Sequence, residues 1–152
     1  MSKLCKLFAL PPAEWGYLAL AWVLLGMVEL ALRYVSLSTL MERLQIGRGR
    51  LSFDAPRTAC FSERLAQLTG IAGRHVPFDA TCLKQALVLS YLLALHRIES
   101  RLHIGVLREN GLDGTPELQA HAWIEQGGLV ILGQELQARY HLLYTAGFMM
   151  QH

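Results

Sequence analysis

Residues 81–97 read TCLKQALVLSYLLALHR, and this stretch decides the fold. Its apolar side chains recur at helical spacing, and Lys84 is its only charged residue before Arg97. A helix that is apolar on nearly all sides is typical of the centre of a folded domain. Either Asp79 or Thr81 can cap its first turn. The stretch therefore predicts a long buried helix.

Strand-like segments follow this helix and predict a small antiparallel sheet. They are residues 101–108, 119–126 and 129–134, and the turn signals Asn110-Gly111, Asp113-Gly114 and Gly127-Gly128 separate them. Short turns of this kind join antiparallel neighbours. The apolar stretch from Tyr140 to Met150 fits either a last strand or a short helix. Helices followed by such a sheet predict an α+β fold.

The chain before the buried helix is also predicted to be helical. Ala13 to Leu44 favours a helix in two pieces, and Ser36 or Ser38 offers an N-cap for the second piece. A further helix is predicted over residues 56–68. The Gly-Arg-Gly-Arg sequence at residues 47–50 indicates a basic linker between these helices.

The length and composition of the chain indicate one folded unit. Of its 152 residues 53% are hydrophobic and 17% are charged, so it is more apolar than an average soluble domain, which excludes disorder. The basic linker divides it into an N-terminal helical region, residues 1–50, and a core region, residues 51–152. A net charge of +2 is too weak to indicate nucleic acid binding. Three cysteines, an odd number, favour reduced thiols and a cytoplasmic setting.

An apolar run of 14 residues, Trp15 to Val28, lies in the N-terminal helical region. At about 1.5 Å per residue it covers roughly 21 Å, which is short of a ~30 Å hydrocarbon core. Extension through Glu29 to Leu32 gives 18 residues, so three interpretations stay open. They are a core or partner-facing helix, contact with a membrane surface, and a membrane span.

Cys82 and His121 are the candidate nucleophile and base. The partial positive charge and unpaired N–H groups of a helix N-terminus favour the thiolate form of Cys82 and can receive a developing oxyanion. His121 follows 39 residues later on a predicted strand, on the same face as Trp123 and Glu125. A cysteine at a helix start followed by a strand histidine is the arrangement of a Cys-His catalytic pair.

Gln134 is the candidate third member. A two-residue turn at Gly127-Gly128 pairs Gln126 with Leu129, and the same count places Gln134 opposite His121. Its side chain can then accept a hydrogen bond from the imidazole. Glu135 faces the other way unless a bulge shifts the strand, and a backbone carbonyl is the remaining alternative.

No metal ion or other cofactor is expected. The remaining histidines lack the spacing of a metal site, and the sequence contains no glycine-rich phosphate loop. We interpret Cys5 and Cys60 as small buried apolar residues, because an unpaired cysteine is more often structural than reactive.

Three segments of the chain resemble a known family, the transglutaminase-like leader peptidases that mature lasso peptides. They are residues 75–87 (HVPFDATCLKQAL), residues 120–128 (AHAWIEQGG) and residues 10–37 (LPPAEWGYLALAWVLLGMVELALRYVSL), and residues 90–105 fit as well. The resemblance thus covers nearly the whole chain. It implies a transglutaminase-like, papain-like fold and a cysteine protease, with Cys82 as nucleophile and His121 as base.

The resemblance is incomplete at the third catalytic position. The family usually has an aspartate a little beyond the histidine strand, whereas residues 132–135 of this chain read LGQE. A glutamine carbonyl can orient the imidazole, but it stabilises an imidazolium less well than a carboxylate does. Alternatives to leader removal are therefore another Cys-His acyl transfer and a non-catalytic scaffold role.

The same resemblance implies partners for the reaction. In this family the peptidase is often a separate chain that acts with a small leader-recognition protein. We therefore expect a precursor peptide as the substrate, a leader-recognition protein, and a lasso cyclase that closes the macrolactam.

Overall fold

A computed structural model describes residues 12–44, 55–110, 116–134 and 139–148. Its helices are α1 (Pro12–Tyr34), α2 (Leu37–Leu44), α3 (Ala55–Gly73) and α4 (Cys82–Leu95), and its strands are β1 (Ser100–Asn110), β2 (Pro116–Gln126), β3 (Leu129–Leu132) and β4 (His141–Phe148). The predicted α+β class is confirmed. The 47–50 linker, the Asp113-Gly114 turn, Cys5 and Glu135 lie outside the described residues.

Helix α1 continues past Glu29, the charged residue at which the apolar run of the sequence ends. Lys84 lies 2.5 Å from the Glu29 carboxylate and Arg33 lies 3.2 Å from it. The hydrogen bond from Lys84 is the main cause that holds the pKa of Glu29 below its usual value. The helix continues to Tyr34, and two cations compensate the Glu29 charge. The Ser36 hydroxyl then accepts a hydrogen bond from the Thr39 N–H and caps α2, as predicted.

Helix α4 is the centre of the core. Most of its residues beyond the first turn are buried, and they pack with α1, α3 and one face of the sheet. The sheet contributes Leu102, Ala122, Ile124 and Ala146 to this cluster. The uniformly apolar sequence of α4 therefore reflects contacts on nearly every side.

The sheet is antiparallel with strand order β3-β2-β1-β4. Trp123 pairs with His103, and His121 pairs with Gly105. The alternation of β2 turns His121 and Trp123 away from the face that carries Ala122 and Ile124. The shared face of His121 and Trp123 is confirmed, because their rings stack with centroids 6.1 Å apart.

Helix α3 departs from two predictions. It extends to Gly73, beyond the predicted end at Leu68, because Gly70 sits inside the helix without a turn. Cys60 lies on its outer surface and is exposed, so the interpretation of this residue as buried is wrong. Helical periodicity placed Cys60 beside the apolar stripe, but it did not determine whether the side chain faces the core or the solvent.

Candidate active site

Cys82 is the first residue of α4, as the sequence predicts. The carbonyl of Thr81 accepts the first helical hydrogen bond, from Gln85, at 3.1 Å. The Thr81 side chain makes no capping hydrogen bond, although Thr81 occupies the N-cap position. The backbone N–H groups of the first turn therefore remain available beside the half-buried Cys82 thiol. This is a suitable arrangement for an anion that forms next to the sulfur.

Two side chains of α4 hold the loop that leads into Cys82. Lys84 Nζ donates to the carbonyl of Asp79 at 2.6 Å, and Gln85 Nε2 donates to the carbonyl of Ala80 at 2.7 Å. Lys84 also bridges to Glu29 of α1. Sequence reasoning missed these positioning residues, because their partners are backbone atoms and a residue more than 50 positions away.

His121 is half-buried and its ring contacts two aromatic rings. Trp123 stacks on one side, and the ring centroid of Tyr140 lies 5.1 Å from that of His121. Trp123 also stacks on His103 at 5.5 Å. Beyond these rings, the carboxylate of Glu125 lies 3.3 Å from His103 Nε2.

A backbone carbonyl holds the His121 ring. Its Nε2 lies 3.1 Å from the carbonyl oxygen of Gly133. A carbonyl oxygen only accepts, so Nε2 carries the proton and donates it, which leaves the lone pair on Nδ1. Nδ1 is therefore the nitrogen of His121 that can take a proton.

The predicted register of Gln134 is wrong. The register predicted from the Gly127-Gly128 turn is correct for the first two pairs, Gln126 with Leu129 and Glu125 with Val130. The next residue of β2, Ile124, pairs with Leu132 instead of Ile131. The extra residue, Ile131, is a bulge that shifts everything beyond it. The exposed Gln134 side chain donates to the Val130 carbonyl and makes no hydrogen bond to the described His121 ring.

Gly133 reaches the ring because it is a glycine. Its φ is +83°, which takes the chain out of the ladder after β3. A Cβ there would lie 2.9 Å from the Ala122 carbonyl oxygen and 3.1 Å from His121 Nε2. A backbone carbonyl thus occupies the place that the sequence analysis assigned to Gln134. The only hint in the sequence was a glycine directly after an apolar strand.

No hydrogen bond joins the Cys82 thiol to the His121 ring within the described residues. Helix α4 packs on the face of the sheet opposite to the imidazole. Within the described part of the chain, neither the thiol nor Nδ1 of His121 has a hydrogen-bond partner, and no carboxylate contacts the His121 ring. The described residues also contain no group of three or more metal-ligating side chains.

We expect Gly133→Ala to move the His121 ring and to destabilise the domain. A non-glycine residue at positive φ costs about 1–3 kcal/mol, and the contact with Nε2 adds to that cost. Gly128→Ala is the matched control, since its φ is +84° but a Cβ there meets no atom within 4 Å. Imidazole ¹⁵N NMR and chemical denaturation provide the readouts.

The two variants separate backbone strain from the contact with the ring. Gly133→Ala should lose the Nε2–H form of His121 and unfold more easily than Gly128→Ala, which should keep that tautomer. Gln134→Ala should leave both readouts unchanged. Equal spectra for the two glycine variants would contradict the role of the Gly133 carbonyl.

Comparison with known proteins identifies the family. The chain matches the transglutaminase-like superfamily over residues 24–145, about four fifths of its length. The chain belongs to the transglutaminase-like superfamily. No curated protein and no solved structure matches the chain significantly.

Membership of the transglutaminase-like superfamily gives the cysteine and the histidine a chemical context. The superfamily includes cysteine peptidases and acyltransferases, and a Cys-His-Asp triad is common in it. The match begins inside α1 and ends inside β4, so it spans both Cys82 and His121. The division at residue 50 stays a prediction.

Proposed function

We propose that this transglutaminase-like protein is a cysteine peptidase that removes the leader from a lasso peptide precursor. The observation that carries the proposal is Cys82 at the uncapped start of α4, in a chain of this superfamily. Nδ1 of His121, which has no hydrogen-bond partner among the described residues, supports it, because a base needs a lone pair. The lasso precursor as substrate rests on the likeness of residues 75–87 and 120–128 to the leader peptidases.

The proposed reaction passes through a thioester. Cys82 gives its proton to Nδ1 of His121, and Sγ attacks the carbonyl carbon of the last leader residue. The first-turn N–H groups of α4 receive the oxyanion. The C–N bond breaks, His121 protonates the departing amine of the core peptide, and the leader stays on Sγ as an acyl group. Water then hydrolyses the thioester, which releases the leader carboxylate and restores the thiol.

The reaction requires Sγ and Nδ1 to come within hydrogen-bond reach. Catalytic hydrogen bonds are often long or absent without substrate and form only in the complex. The proposal therefore includes a movement of the loop before Cys82, or of the middle of β2 that carries His121, when the precursor binds. The only hydrogen bond that the His121 side chain makes to the described residues is the one to Gly133, which is compatible with such a movement.

We further propose that the peptidase acts in the cytoplasm, without a cofactor, together with a leader-recognition protein and a lasso cyclase. We expect the purified chain to cleave the precursor slowly, and addition of the leader-recognition protein to raise the rate about tenfold or more. The physical reason is that holding the leader in place makes the attack effectively intramolecular. Mass spectrometry of the precursor with and without the partner measures both rates.

A precursor that lacks the leader segment bound by the partner is the matched control. Its cleavage should not respond to the partner. Equal rates with and without the partner, at the same concentrations, would remove the partner from the proposal but leave the peptidase.

A non-catalytic scaffold is the second candidate. The observation that favours it is that, among the described residues, no hydrogen bond joins the Cys82 thiol to the imidazole and no carboxylate contacts the ring. An acyl transfer to an amine instead of water is a variant of the peptidase mechanism. Thiol labelling separates the enzyme from the scaffold, and product masses separate hydrolysis from amide formation.

A further inference from the structure

Helix α1 presents an apolar face that no part of the described chain covers. Its buried side chains, Leu18, Ala21 and Leu25, lie on the side that faces the domain. The opposite side carries Leu20, Val23, Met27, Leu30 and Tyr34, and Met27, Leu30 and Tyr34 are 61%, 57% and 82% exposed. A stripe of large apolar side chains along one helix face is typical of a contact surface rather than of a solvated one.

The length and composition of α1 are those of a lipid-contacting helix. Among the described helices it is the one long and apolar enough to cross a membrane, yet only 11% of its apolar window is buried in the protein. A core helix of a soluble protein passes the same test of length and composition, but it is mostly buried. The exposed face also ends in Tyr34. Tyrosine and tryptophan are enriched where a membrane meets water.

The contacts of α1 fix its orientation. Near one end, Glu14 accepts two hydrogen bonds from Arg64 of α3, and near the other end Glu29 pairs with Lys84 of α4. Helix α1 thus lies lengthwise on the domain, and a membrane span would carry α3 and α4 into the lipid with it. A helix held in this way contacts a bilayer along its side.

The charges around α1 suit an anionic surface. Arg64 holds the pKa of Glu14 below its usual value, and Lys84 does the same for Glu29, so both acids stay ionised and paired near neutral pH. Glu29 is shared by two cations, and the Arg33 side chain is 68% exposed. In the sequence, Lys3 and Lys6 precede the helix, and no acidic residue comes before Glu14. Among the described ion pairs of α1, three cations, Arg33, Arg64 and Lys84, therefore face two acids, Glu14 and Glu29.

We propose that α1 is a membrane-docking surface, which lies in the plane of an anionic bilayer with Val23, Met27, Leu30 and Tyr34 in the lipid interface. The occupant of this face is a lipid surface that carries negative headgroups. The proposal does not depend on the peptidase activity.

Vesicle binding by the full chain tests the proposal. We expect it to float with vesicles of phosphatidylcholine mixed with phosphatidylglycerol, and to bind vesicles of phosphatidylcholine alone about tenfold more weakly. Leu30→Glu should weaken binding to the mixed vesicles about tenfold or more. Leu129→Glu is the matched control, because Leu129 is 67% exposed and lies at the start of β3.

Tryptophan emission locates the contact. The chain has three tryptophans, and Trp123 is buried. A blue shift on addition of mixed vesicles should therefore come from Trp15 and Trp22, and Trp22→Phe should reduce it. Circular dichroism confirms that the variants fold, as expected for changes at exposed positions.

Three results would overturn the proposal. The first is that Leu30→Glu binds vesicles as well as the unchanged chain does. The second is that Leu129→Glu loses as much binding as Leu30→Glu. The third is that the unchanged chain does not bind the mixed vesicles. If the unchanged chain fails to bind and forms a dimer that Leu30→Glu converts to a monomer by light scattering, the face belongs to a second copy of the chain.

Discussion

Cys82→Ala is expected to abolish leader removal, with a loss in rate of about 10⁴-fold or more. The reason is that the thioester cannot form without Sγ, and no other group at the start of α4 can replace it. The fold should survive, because the Cys82 side chain lies only half inside the core at the first turn of the helix. Mass spectrometry of the precursor, incubated with the variant and the leader-recognition protein, measures the loss.

Cys60→Ala is the matched control for Cys82→Ala. The same atom is removed from an exposed cysteine of α3, and the cleavage rate should not change. Normal cleavage by Cys82→Ala would refute the peptidase and leave the scaffold. A loss with both variants would show that the assay reports on stability, which thermal unfolding would confirm.

His121→Ala is expected to lower the rate of cleavage about 10²–10⁴-fold. The variant retains the nucleophile and the oxyanion-binding N–H groups, so it should keep some activity where Cys82→Ala keeps none. Added imidazole should restore part of the rate, because the space between Trp123 and Tyr140 is left open. A merely structural histidine would not give this rescue.

His141→Ala is the control for His121→Ala. His141 is exposed on β4 and makes no side-chain contact within the described residues. The His141→Ala variant should cleave the precursor at the rate of the unchanged chain, and added imidazole should not alter that rate. Cleavage by His121→Ala at the rate of the unchanged chain would mean that another group takes the proton from Cys82.

The elements that depend on local sequence were predictable. The apolar run of α4, with Cys82 at its start, needs only helical periodicity, and the Gly127-Gly128 turn fixes the first two pairs between β2 and β3. The two-piece N-terminal helix follows from the capping chemistry of Ser36. In each case the residues that decide the structure are neighbours in the chain.

The site was less predictable, because its contacts join distant residues. The bulge at Ile131 moves Gln134 away from His121, and no residue type in β3 indicates it. The pairing of Glu29 with Lys84 depends on the packing of α1 against α4. The described contact of the His121 ring is with a backbone carbonyl, which any residue carries, so the side chains alone did not identify Gly133.

The most direct test of Cys82 as nucleophile is its rate of alkylation relative to Cys60. Cys60 is exposed and Cys82 is half-buried, so exposure alone predicts faster modification of Cys60. An activated thiolate reverses that order. We predict that iodoacetamide, followed by peptide mapping, modifies Cys82 about tenfold faster than Cys60, and that cleavage is lost in proportion. Faster modification of Cys60, with cleavage retained after its alkylation and Cys82 unmodified, would contradict the account.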